Sequence, residues 1–257
     1  METTASAMDT TAHIEALHRE GTLFAEAAAR TDLAAPVPTC PDWRLRDLLR
    51  HTGQVHRWAA VCVREARQAP PDEADRRAAL PAAPGDTGLV DWFRDGHAAL
   101  VETLAAAPAD VDCWTFLPAP SPLGFWARRQ AHETAVHRID ADAAAGAEGP
   151  PTAPDLALDG IDELLCGFLS RDRARLRSER PRTVQVRTTD GPGRWRLTVS
   201  PEPPAVELGE GPADLTLSGP ARDLYLLLWN RLPAGTGQVA RAGDETLLDF
   251  WRETAVI

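Results

Sequence analysis

The sequence predicts an α+β protein, a helical bundle followed by a smaller mixed domain. Three observations carry this reading. Apolar residues recur at three- and four-residue steps from Thr10 onward, the composition turns to Gly and Pro around Glu148 to Pro154, and β-branched alternation appears beyond Thr183. The expected division is residues 1–150 for the bundle and 151–257 for the α+β domain.

Taken in order, Ile14, Leu17, Phe24 and Ala28 mark one face of a helix over Thr10 to Arg30, which Gly21 weakens without forbidding. The Pro36 to Pro41 break precedes a second helix, Trp43 to Arg64, with Leu45, Leu48, Leu49, Val55, Trp58 and Cys62 inward and Pro41 suited to its first turn. Gln68 to Asp86 is rich in Pro, Ala and charge, and reads as an exposed, mobile connection. Leu89 to Ala106 gives the third helix and Phe125 to Ala145 the fourth, which has good helix formers and no internal proline. Asp155 to Arg177 reads as a fifth helix. Thr183 to Thr189 and Arg194 to Ser200 flank Asp190-Gly191-Pro192-Gly193, a hairpin signal. Short strands at Ala205 to Leu208, Leu215 to Ser218 and Gln238 to Arg241 are expected with helices at Ala221 to Arg231 and Glu245 to Trp251.

Composition removes several function classes. The 38 acidic residues against 27 basic ones leave a net charge of -11, which argues against binding nucleic acid or an anionic membrane. Every basic residue is arginine, so Schiff-base chemistry and a P-loop lysine are excluded. The apolar runs are too short for a membrane span, and Met1 to Asp9 lacks a secretory pattern, so a cytoplasmic location is expected. Cys40, Cys62, Cys113 and Cys166 include no C-x-x-C pair and read as reduced, mostly buried thiols.

The candidate chemistry lies on two helices. Glu133 and His137 are one turn apart and share a face, whereas His132 and His137 do not, so this is not an H-E-x-x-H zinc motif. A metal would use Glu133 and His137 with a third ligand from elsewhere. His51 on the second helix is the choice, with His56 in reserve. Pattern alone leaves open an exposed helix pair beside a core histidine. Two imidazoles and a carboxylate would suit catalytic zinc and equally non-haem iron, with one position open.

The stretch Cys40-Pro41-Asp42-Trp43 through Asp47-Leu48, His51 and Gly53 resembles the CPxWxxxDLxxHxG signature of the mycothiol-dependent maleylpyruvate isomerase family. Arg128 through Arg138, containing His132-Glu133 and His137, resembles its second signature, and Leu226 to Arg231 its LLLWGR segment, with Asn230 in place of glycine. The resemblance implies a DinB-like four-helix metal-binding domain before the α+β domain. It also implies zinc held by His51, Glu133 and His137, mycothiol as cofactor, and Arg231 as a catalytic residue that holds an acidic substrate. The implied activity is isomerase or S-transferase chemistry in which a thiolate adds to a small electrophile such as a maleylpyruvate-like cis-enoyl compound. The alternative is a non-catalytic module in which the metal braces the bundle. The G+C-rich codon bias fits an actinobacterial source. The expected partners are a low-molecular-weight thiol and a small substrate, with neither nucleic acid nor membrane.

Overall fold

A computed structural model describes residues 8–70, 82–232 and 236–255. The central part of the expected mobile connection, residues 71–81, lies outside the described residues, as do residues 1–7. The chain divides into two compact units, one spanning Asp9–Pro150 and the other beginning at Pro151. Among the described residues no helix is long and apolar enough to cross a membrane.

The first unit is built from α1 (Thr10–Ala29), α2 (Leu45–Arg64), α3 (Leu89–Ala106) and α4 (Pro122–Ala144). α1 packs along α3 and α4, and α2 packs along the same two helices, so α1 and α2 stand on opposite corners. Phe24, Leu45, Leu48, Leu49, Leu89 and Phe93 fill the core between them, with the Phe24 and Phe93 rings 4.7 Å apart. Asp9 caps α1 by accepting from the Ala12 amide at 2.8 Å, and Ser121 caps α4 by accepting from the Gly124 amide at 3.0 Å. With Pro122 in its first turn, α4 therefore starts before Phe125, the residue where apolar periodicity alone places it.

Gly21 has a packing reason. A Cβ there would collide with the imidazole of His97, whose Nε2 donates to the Leu17 carbonyl at 3.0 Å. The His97 ring lies tilted against that of His56, with centroids 5.7 Å apart, and His56 Nε2 meets Thr134 Oγ1 at 2.8 Å. Burial holds both imidazoles below the usual histidine range, and His56 Nδ1 is enclosed with no hydrogen-bond partner to accept a second proton. Neutral in the fold and titrating at pH ~6.5 when unfolded, they contribute stability above that pH that is lost as pH falls below it. Thermal unfolding of the metal-free protein is therefore expected to move to lower temperature from pH 7 to pH 5, and His97→Gln to flatten the slope. A melting temperature constant over that range would contradict this.

The second unit begins with α5 (Pro154–Asp162), continued by a π-helical turn, Glu163–Phe168. The helix expected to run to Arg177 stops there. Beyond Leu169 the chain has alternating arginines and only Leu176 to bury, and Arg171 Nε and Arg177 Nε instead donate to the Phe168 and Ala174 carbonyls. Five strands follow: β1 (Arg182–Thr188), β2 (Arg194–Val199), β3 (Ala205–Leu208), β4 (Leu215–Gly219) and β5 (Ala240–Gly243). The sheet order is β3-β2-β1-β4-β5, antiparallel except for β1 against β4. The register sets Val186 opposite Trp195 on one side and Leu217 on the other, a buried apolar row. α6 (Ala221–Leu228) and α7 (Thr246–Thr254) complete the α+β unit, and Trp251 Nε1 ties them by donating to the Leu228 carbonyl at 2.9 Å. α6 ends before Arg231 because Asn230 takes a left-handed φ of 59°, a conformation in which asparagine can stand where glycine is usual.

Candidate metal centre

The loop between α1 and α2 is shaped by a short antiparallel bridge between Pro36 and Arg44. Inside it the Val37 amide donates to the Trp43 carbonyl and the Trp43 amide to the Cys40 carbonyl, at 3.0 and 2.8 Å. Pro41 consequently sits in this turn and not in the first turn of α2, which starts only at Leu45. The turn delivers Thr39, Cys40 and Trp43 to the side of α4. His51 follows in the second turn of α2.

α4 supplies the other side of the site. It buries Arg129, Gln130, His132, Thr134, His137, Arg138 and Asp140, a polar load that no simple core helix carries. Glu133 Oε1 lies 3.2 Å from His51 Nε2 and 3.4 Å from His137 Nε2. One ligand atom from each of these three residues lies within 4.8 Å of the other two. The two imidazoles meet edge to face at 5.2 Å, and the Trp43 indole packs 4.9 Å from the His51 ring and 6.1 Å from that of His137. The expected trio is therefore brought together. His56 points instead to Thr134, and the His132 ring lies against that of His13 at 6.1 Å.

Side-chain exposure falls from 40% at His51 to 21% at Glu133 and 11% at His137, so the cluster opens on the His51 side. At its closed end stands Asp140, which is fully buried. Its Oδ2 accepts from His137 Nδ1 at 2.8 Å, and its Oδ1 accepts from Thr39 Oγ1 at 2.6 Å. Cys40 Sγ also reaches Oδ2, at 3.7 Å. A carboxylate on Nδ1 fixes the ring and turns Nε2 toward the shared point, the usual support for a metal-binding histidine. Asp140 is three residues beyond His137 and Arg129 four before Glu133. That helical spacing is visible in the sequence, yet neither residue is singled out by it.

The electrostatics match. Burial opposes charge on His137, but hydrogen bonds to Asp140 and Glu133 raise it to about 9. Burial likewise opposes ionisation of Glu133, yet the hydrogen bonds from His137 and His51 and the Arg129 charge hold it well below the usual carboxylate range. An imidazolium thus stands against a carboxylate oxygen that two ring nitrogens share. A divalent cation that displaces the His137 Nε2 proton would meet nitrogen and oxygen donors converging on one point where positive charge is favoured.

Two family models match the chain, and the first of them spans these segments. The profile described as the mycothiol maleylpyruvate isomerase N-terminal domain matches residues 14–142, and that of the MDMPI C-terminal domain matches residues 155–250. The chain belongs to the mycothiol maleylpyruvate isomerase family. Among solved structures, a mycothiol-dependent maleylpyruvate isomerase matches with a TM-score of 0.64 at 12% identity, over 94% of this chain and 96% of that one. A histidine-to-alanine variant of a mycothiol-dependent maleylpyruvate isomerase matches equally, with TM-score 0.64, 12% identity and the same coverage. No curated protein sequence matches the chain.

Arg231, the remaining residue that the family resemblance marks, belongs to the other unit. It follows α6, its amide donating to the Leu226 carbonyl at 2.7 Å and its Nη1 to the Trp229 carbonyl at 2.8 Å.

Among the described residues the cysteines form no disulfide; Cys62 and Cys113 are buried as expected, whereas Cys40 is half-buried and Cys166 exposed. Burial pushes the Cys62 thiol up to about 12, so it is a poor nucleophile near neutrality. Cys40 Sγ reaches the site through Asp140 Oδ2, and a serine hydroxyl can donate to the same oxygen. Cys40→Ser is expected to keep metal affinity within about tenfold, the low end of outer-shell effects. Competition with a chromogenic chelator measures this, and complete loss of binding in a folded variant would contradict it.

Proposed function

We propose that this chain is a metal-dependent enzyme that uses mycothiol, or a closely similar low-molecular-weight thiol, to isomerise a small acidic cis-enoyl compound of the maleylpyruvate type. The observation that carries the reading is the convergence of His51, Glu133 and His137, with Asp140 behind His137 and an open edge at His51. Zinc is the expected ion. A purely bracing ion would be closed in on all sides, and the exposure of His51 favours a working site.

When bound, the ion would supply the positive charge that favours the thiolate form of an arriving thiol. His51, Glu133 and His137 would hold that charge, and Asp140 would keep the Nδ1 proton of His137 out of the reaction. Trp43 walls the ligand imidazoles and would limit water at the same edge. Arg231 is proposed to bind the substrate carboxylate and steady charge gathering on its conjugated carbonyl. The thiol sulfur bonds to one alkene carbon as the π pair moves toward that carbonyl, and the new single bond rotates. Return of the pair breaks the C–S bond and releases the trans isomer with the thiol regenerated. Since neither oxidant nor reductant enters, the balance is that of an isomerisation.

Elemental analysis of the purified protein is expected to find about one divalent ion per chain. Incubation with catalytic thiol and a cis-enoyl acid should give the trans acid without net thiol loss. Stoichiometric thiol consumption with a stable adduct would indicate S-transfer instead. Absence of both metal and turnover would overturn the reading.

A further inference from the structure

Glu133 presents two carboxylate oxygens, and the fold treats them differently. Oε1 faces His51 Nε2 and His137 Nε2 at 3.2 and 3.4 Å, while Oε2 accepts from Arg129 Nη2 at 3.1 Å. Arg129 lies one turn earlier on α4 with its side chain only 4% exposed. Taking a guanidinium out of water costs several kcal/mol, so this is a different object from the surface i,i+4 pairs that many helices carry. We propose that Arg129 is a positioning residue that reserves Oε2, so that Glu133 can offer the ion a single oxygen and one coordination position stays free for the thiol sulfur.

This inference rests on the metal reading above and deepens it. Two imidazoles and a chelating carboxylate would already offer four donor atoms. Two imidazoles and one oxygen offer three, the number that catalytic zinc sites keep. Arginine suits the task because its planar N–H groups fix the carboxylate plane and remain charged at any working pH. Its charge also draws electron density from Glu133, which leaves the ion more electrophilic toward sulfur. A guanidinium placed only for helix stability would have no effect on coordination number.

The test uses the full chain loaded with Co(II), whose visible absorption is intense in four-coordinate sites and weak in sites of higher coordination. The wild type is expected to show the intense band. Arg129→Gln should weaken it and lower Co(II) affinity by about 10- to 100-fold, the range of outer-shell partners. Arg129→Lys, which can still donate to Oε2, should recover most of both. An Arg129→Gln protein with wild-type band and affinity would overturn the proposal. If that variant does not fold, X-ray absorption on the zinc-loaded wild type decides: a one-oxygen carboxylate supports the role of Arg129, and the short metal–carbon distance of a chelating carboxylate overturns it. A wild type that takes up no metal removes the underlying reading itself, and this shows before any variant is made.

Discussion

Replacing His51 with alanine is expected to cost more than about 100-fold in metal affinity, beyond the usual effect of outer-shell partners, and to remove thiol-dependent turnover with it. The reason is geometric. Of the three donors, only His51 comes from α2, so without it Glu133 and His137 remain as two ligands on one helix. Stability should change little, because the His51 side chain is 40% exposed and its loss opens no cavity in the core. Isothermal titration with zinc and a melting curve on the same sample separate the two effects. A folded His51→Ala protein that binds zinc as the wild type does would refute the assigned ligand.

The second large effect lies in the charged interior of the bundle. Arg138 donates to Glu20 Oε2 at 2.9 Å and to Asp142 Oδ2 at 2.7 Å, with the Arg138 side chain 4% and that of Glu20 1% exposed. The pair joins α1 to α4, and removing one buried partner strands the other. Arg138→Met is expected to destabilise the first unit by about 3–5 kcal/mol, because among the described residues the cation then left to the Glu20 carboxylate is the half-exposed Arg19 at 3.5 Å. Adding Glu20→Leu should restore part of the loss, since an apolar pair in place of a buried ion pair can be nearly neutral. Urea unfolding of the three proteins measures this. A loss under about 1 kcal/mol for the single variant would class the pair with surface salt bridges.

Much of the arrangement can be read from the amino-acid order. The i,i+4 spacing of Glu133 and His137 sets them on one face, and the cysteine-proline signature leads to His51. Both are local statements, and the structure joins the three residues by packing α2 against α4. Arg129 and Asp140 obey equally local spacing. They escape notice because on an isolated helix a row of charged residues one turn apart describes a solvated face just as well; only tertiary burial turns that row into a support for the ligands. The turn at Thr39 to Trp43 escapes for a similar reason. Its shape depends on the Pro36–Arg44 bridge, and its value lies in Asp140, a hundred residues away for Cys40.

In the second unit, alternation identifies the strands but not their partners. The parallel pairing of β1 with β4 joins segments separated by β2 and β3, and no short-range pattern encodes it. The overextended fifth helix shows the opposite limit. Helix-forming residues continue past Leu169, but the apolar face that would hold them does not, and the chain leaves the helix.

His51, Glu133 and His137 are proposed to grip one divalent ion and leave a corner for sulfur. X-ray absorption at the zinc edge, recorded on the loaded protein before and after adding mycothiol, tests it most directly. Nitrogen and oxygen neighbours alone are expected at first, then one added sulfur at about 2.3 Å, and no such change in His51→Ala. A zinc environment that takes up no sulfur, or that is unaltered in His51→Ala, would contradict it.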